Sequence, residues 1–191
     1  MSKFLYLSEY SYCHPWVNGG SIPIFLASKY ISTKRDGIYT PDENLIHEGE
    51  YPIDKLKNHG FYFEEVRDLT MTGCIGNGFR IPNIRNANYY HDDGLILSFC
   101  NHFDPAIAKK LNKKACVEIL SINKLKNHIS RKLKQECIAK NCEYTENHER
   151  NHFLKSIEDS WQNEFRLFWK AEQNATVHIP KGIARIVRLP K

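Results

Sequence analysis

Residues 160–169, Ser160-Trp161-Gln162-Asn163-Glu164-Phe165-Arg166-Leu167-Phe168-Trp169, decide how this chain is read. Their alternation predicts a β-strand with Trp161, Asn163, Phe165, Leu167 and Trp169 on one side and Gln162, Glu164, Arg166 and Phe168 on the other. Side chains two apart on a strand point the same way, about 7 Å apart, so the Gln162 amide and the Glu164 carboxylate reach two parts of one ligand. The structural alternative is that Glu164 simply pairs with Arg166 or another cation on a solvated face.

Working upstream, His148 to Ser160 has the spacing of a helix, with Phe153, Leu154 and Ile157 inward, that delivers the chain into this strand. His148 and His152 then stand one turn apart, but no third ligand accompanies them, so no metal site is predicted. Lys109 to Lys134 holds nine basic residues (Lys109, Lys110, Lys113, Lys114, Lys124, Lys126, Arg131, Lys132, Lys134) and one acid, Glu118. Presented on one side, they form a basic patch for a polyanion; otherwise they are a solvated helix face. Asn123 to Glu136 is predicted helical with Leu125, Ile129 and Leu133 buried. Asp104 caps a helix starting at Pro105, and Leu95–Cys100 and Ala115–Leu120 read as apolar strands.

Further upstream, Thr72 to Asn88 is rich in Gly and Asn and reads as a long loop able to hold substrate. The 31–43 segment is polar and turn-rich. Lys34 and Arg35 precede Gly37 there, a cation beside flexible backbone as a diphosphate requires, with Tyr30 and Tyr39 available to stack on a ring. Cys13 to Gly20 reads as a loop, because Pro15 holds His14 extended and Asn18-Gly19-Gly20 favours positive φ. Downstream, 176–179 and 182–189 are strands, and Lys181, Arg185, Arg188 and Lys191 follow with no acid after Glu172.

With 191 residues, 41% of them hydrophobic, the chain supports one core and is short for two. Six cysteines at irregular spacing, with no Cys-x-x-Cys, indicate reduced thiols and neither a disulfide framework nor a zinc site. The opening residues lack a leader's apolar run, and no stretch approaches the ~20 apolar residues of a membrane span, so a cytoplasmic protein without a membrane partner is expected. Strands, a gap, then strands mixed with few helices predict a single α+β domain over 1–191.

The Gln162-x-Glu164 pair resembles the strand signature of ADP-ribosyltransferases, and Trp161 to Arg166 is similar to the corresponding strand of related bacterial toxin and defence domains. Gly94 to Cys100, with Ser98, is similar to the Ser-x-Ser strand beside the nicotinamide pocket in that fold. The resemblance implies split mixed or antiparallel sheets with flanking helices and NAD as substrate. It makes Glu164 and Gln162 catalytic and puts His14 and Ser98 at the nicotinamide; with NAD as substrate, Arg35 is the residue expected at the phosphates and Tyr30 or Tyr39 the one stacking on a ring. Members acting inside bacteria imply toxin–antitoxin or anti-phage roles and a neutralising antitoxin protein. The basic stretch favours RNA or DNA as acceptor over a protein side chain. Competing readings are a non-catalytic RNA-binding module and a nuclease using Glu164, His102 and Asp104 with a divalent ion.

Overall fold

The computed structural model describes residues 2–190. In chain order come β1 (Lys3–Leu7), α1 (Cys13–Asn18), β2 (Gly20–Leu26), β3 (Leu45–Glu48), β4 (Val66–Met71), β5 (Ile75–Gly76), β6 (Phe79–Arg80) and β7 (Ile84–His91). Then follow β8 (Gly94–Cys100), α2 (Pro105–Lys110), β9 (Ala115–Ile119), α3 (Ile122–Leu133), β10 (Ile138–Asn141), β11 (Glu143–Thr145) and β12 (Leu154–Ser156). The last three are β13 (Glu164–Lys170), β14 (Ala175–Ile179) and β15 (Ala184–Val187). The result is a single α+β domain, and the pairings in its main sheet are antiparallel.

The main sheet runs β10-β13-β8-β1-β9-β15, and β2 also pairs with β8 and with β14. β8 is its pivot. One side of β8 is zipped to β13 from Glu164↔Cys100 to Lys170↔Gly94. The other side is shared: β1 takes the Cys100 end through Phe4, and β2 takes the other end through Phe25↔Ile96 and Leu26↔Leu95. The sheet therefore forks at β8. Gly94 lies where β8 and β13 crowd: a Cβ there would strike the Phe168 ring and come within 2.6 Å of the Trp169 carbonyl oxygen.

Alternation along these strands assigns the two faces. Leu5, Leu97, Phe99, Val117, Ile119, Leu167 and Trp169 join the largest core, which α3 covers with Leu125 and Ile129 and α1 with Cys13 and Trp16. Tyr6, Cys100 and Cys116 point to the opposite face, where α2 packs Ile107 and Ala108. A third cluster of Ile53, Leu56, Ile81, Ile84 and Ala87 holds the small β3-β7-β4 sheet.

Several expectations are corrected. The strand predicted from Trp161 begins at Glu164. Ile157–Gln162 is a 3₁₀ turn, and Asn163 adopts a left-handed φ of 42° that rotates Trp161 and Gln162 out of the alternation. Asn is one of the few side chains that tolerate this conformation. The second face of β13 is not solvated either, since Glu164, Arg166 and Phe168 are all buried. Residues 148–160 are not a helix but isolated bridges, β12 and that 3₁₀ turn. The Gly/Asn-rich stretch holds the β5–β6 hairpin, turning at Asn77 and Gly78, and the start of β7. His14 sits in α1, because Cys13 and Trp16 are drawn into the core and Pro15 falls in the first turn, where a proline is tolerated. α2 and α3 stand on opposite faces of the sheet, so the 109–134 cations divide into two groups and make no single patch.

Candidate functional site

Glu164 is the first residue of β13, beside the end of β8, and only 5% exposed. A lone carboxylate so placed would lose its hydration at a cost of several kcal/mol, so it requires cations. Two supply it. Arg166, two residues on and on the same side, reaches Glu164 Oε1 from Nε at 3.0 Å, and Lys155 Nζ reaches Glu164 Oε2 at 2.9 Å. Arg166 also pairs through Nη2 with Glu43 at 2.7 Å and donates Nη1 to the His152 carbonyl at 2.9 Å. Lys155 donates to Gln162 Oε1 at 3.0 Å.

Burial alone would raise the Glu164 carboxyl, but Arg166, then Lys155, with help from the Ser98 hydroxyl, hold it far below the usual carboxylate range. Arg166 and Lys155 are correspondingly raised against their own burial, chiefly by Glu164. The group is thus a permanent anion at every physiological pH. Its thiol neighbours respond in the other direction: burial and then Glu164 push Cys100 and Cys142 up to about 12, so both are inert thiols.

The 31–44 segment lies over this cluster and is clasped there. Arg35 bonds Asp42 at 2.7 Å, Glu158 at 2.7 Å and Asp159 at 2.5 Å. Arg150 takes the same Asp42 oxygen at 2.7 Å. Gln162 Nε2 donates to the Gly37 carbonyl at 3.3 Å. Among Thr40, Asp42, Glu43, Arg150, Lys155 and Arg166 the interatomic space amounts to about 170 Å³ and is too constricted for a water molecule.

Six of the seven residues predicted from sequence therefore share one neighbourhood. Glu164, Gln162 and Ser98 belong to the cluster, and Tyr30, Arg35 and Tyr39 belong to its cover. Their states differ from those expected. Arg35 is committed to three carboxylates instead of standing free for phosphate. The Tyr30 and Tyr39 rings lie 6.5 Å apart and tilted by 43°, which is no slot for a flat ring. Burial, then Glu43, raises the Tyr30 phenol to about 12. His14 is the exception: it is on α1, over β9 and β15, several strands from β13 and on the far face.

The nuclease constellation does not assemble. His102 Nδ1 is 3.0 Å from the Asn163 amide, Asp104 caps α2 by accepting from the Ala106 N–H at 2.8 Å, and neither contacts Glu164. His148 bonds the Gly49 carbonyl and His152 bonds Asp92. Among the described residues no three His, Cys, Asp or Glu side chains are grouped to hold a metal ion. Likewise, no helix among them is long and apolar enough to cross a membrane.

The sequence reading missed Lys155, Glu43, Asp42, Asp159 and Arg150. Lys155 carried one local signal, a cation inside the apolar run from Phe153 to Ile157. Asp42 and Glu43 are brought in by the covering segment, Arg150 by the bridge to His47, and Asp159 by the 3₁₀ turn ahead of β13, where the sequence pattern predicts a helix instead. Comparison with known proteins finds no matching family model, no matching curated protein and no matching solved structure.

Proposed function

We propose that the chain is an NAD-dependent ADP-ribosyltransferase, a toxin or anti-phage defence enzyme that modifies a nucleic acid, RNA before DNA, from a site centred on Glu164. The carrying observation is the convergence of Ser98, Gln162 and Glu164, from β8 and the entry to β13, under a cover bearing Tyr30, Arg35 and Tyr39. A buried cluster of this charge density costs stability relative to an apolar core of the same volume, and strongly shifted ionisation is concentrated at functional sites. In the proposed reaction the bond from ribose C1′ to the nicotinamide nitrogen breaks. The electron pair leaves with neutral nicotinamide, and the Glu164 anion accepts the ribose 2′-hydroxyl and stabilises the oxocarbenium-like sugar. Gln162 orients the acceptor atom, which attacks C1′ and releases its proton.

Dinucleotide sites need roughly 300–1,000 Å³, so on this reading the 31–44 segment must swing out, with the substrate diphosphate replacing the carboxylates around Arg35. Lys109 and Lys110 stand on the Glu164 face, Lys110 at 3.9 Å over the Trp161 ring, and Gly37 lies against Leu111. An acceptor backbone meets these cations at the rim, together with exposed Lys34 and Tyr39.

A second reading is favoured by one observation: both Glu164 oxygens are already held by cations, and the space bordering those cations, Lys155 and Arg166, has no room for a water molecule. In that case the cluster is a structural strut, and the chain is a non-catalytic nucleic-acid-binding module. Incubation with NAD labelled in the adenylate moiety, plus RNA, DNA and protein fractions, separates the readings. The transferase puts label into RNA and releases nicotinamide, and Glu164→Gln abolishes both. Label in protein alone moves the acceptor to a side chain. No label and no nicotinamide, with RNA still bound, overturns the transferase and leaves the binding module.

A further inference from the structure

β15 closes one margin of the main sheet: it pairs with β9 on one side and, among the described residues, with no strand on the other. The Leu120 N–H donates to the Ile183 carbonyl at 3.0 Å, which fixes the phase of the ladder. In the antiparallel register Arg185↔Glu118 and Val187↔Cys116, residues 183, 185 and 187 turn their main-chain groups inward, while Ile186 turns its N–H and C=O away from β9. A free row of this kind is a template for another extended chain.

Alongside it runs a groove of about 650 Å³ lined by Tyr10, Cys13, His14, Pro15, Val17 and Ile186. Tyr10 is 64% exposed and Ile186 38% exposed. The flanking cations are all exposed: Lys181, Arg185 and Arg188. Arg185 leans on Glu118 at 2.7 Å yet keeps most of its side chain in solvent. No acid occurs from residue 173 onward. Main-chain groups, apolar holes on one side and positive charge together specify one occupant.

We infer that β15 and this groove bind an extended peptide segment of a partner protein that alternates acidic and apolar residues. It adds as a strand beside β15, with apolar side chains over Tyr10 and Ile186 and carboxylates near Arg185 and Arg188. The groove lies on the far face of the sheet from Glu164, Arg185 on the other face, and β15 stands four strands from β13, so the site does not depend on what Glu164 does.

The test uses a fluorescein-labelled nine-residue peptide of alternating Asp or Glu and Val or Ile, read by anisotropy against the full chain. A peptide with Lys in place of every acid, and an acidic peptide N-methylated at the amides facing β15, are the controls. The acidic peptide binds at least tenfold tighter than either control. Ile186→Pro deletes an outward N–H without touching the β9 ladder, so it weakens binding about tenfold while thermal unfolding is unchanged. In the unaltered protein the Ile186 amide gains protection from hydrogen exchange on peptide addition, which keeps the test valid if the variant misfolds. Equal binding of the lysine or N-methylated peptide, no binding of the acidic one, or an Ile186 amide that exchanges unchanged overturns the inference. Concentration-dependent dimerisation abolished by Ile186→Pro overturns it too, by making a second copy of the chain the occupant.

Discussion

Replacing Glu164 by Gln keeps the shape of the side chain and removes one charge from a cluster in which Glu164 and Glu43 balance Lys155 and Arg166. Arg166 is 2% exposed and Lys155 7% exposed, so neither can turn to water for compensation. Breaking a buried pair by removing one partner costs about 3–5 kcal/mol. With a urea slope of ~2 kcal/mol per molar for a chain of this size, the unfolding midpoint falls by about 1.5–2.5 M. Trp169, fully buried on β13, provides the fluorescence signal. The depressed Glu164 carboxyl also gives the effect a pH signature. Its contribution is complete above the unfolded carboxyl range near pH 4.3 and is lost as pH falls toward the much lower folded value. Glu164→Gln therefore separates from the parent protein at neutral pH and converges with it in strong acid. A midpoint shift below about 0.5 M at pH 7 would refute the reasoning, because Glu164 would then not be holding Lys155 and Arg166 in place.

Two further outcomes follow from the cover and from the small sheet. Arg35→Ala removes the clasp to Asp42, Glu158 and Asp159 and frees the 31–44 segment; chymotrypsin then cuts after Tyr39 roughly tenfold faster, read by mass spectrometry, and an unchanged rate would mean the segment is held by Arg150 and Gln162 instead. His47 is 3% exposed, and burial, only partly offset by Asp54, lowers it to about 4. The unfolded chain binds the proton first, so this neutral imidazole stabilises fully above pH 6.5 and loses on the order of 3 kcal/mol as pH falls to 4. His47→Gln flattens that part of the stability profile, measured by urea titration at several pH values.

Leu95–Cys100, Ala115–Leu120 and the helix around Leu125 and Ile129 were legible because each is specified by neighbours in sequence: a run of apolar residues, or apolar residues one turn apart. The Asp104 cap is equally local, one side chain meeting a backbone N–H two residues on. The Trp161 strand failed for a local reason that alternation cannot register, the left-handed Asn163. Its apolar pattern continues through the break because Trp161 is used elsewhere, under Lys110 on the α2 face.

The sequence by itself determined that Glu164 and Arg166 share one side of a strand, that the chain makes one α+β domain, that α2 starts behind its Asp104 cap and that α3 falls where apolar periodicity puts it. Only the tertiary structure decided what the carboxylate meets. Lys155 arrives from β12 and Glu43 from the covering segment, and Ser98 stands beside the carboxylate only through the β8–β13 register. Tertiary packing likewise split the basic stretch across the sheet and left β15 without an outer neighbour. The reason is range. Hydrophobic periodicity and capping act within a few residues, whereas the partner of a buried charge is set by which distant segments the sheet brings within about 3 Å, and no local pattern encodes that distance.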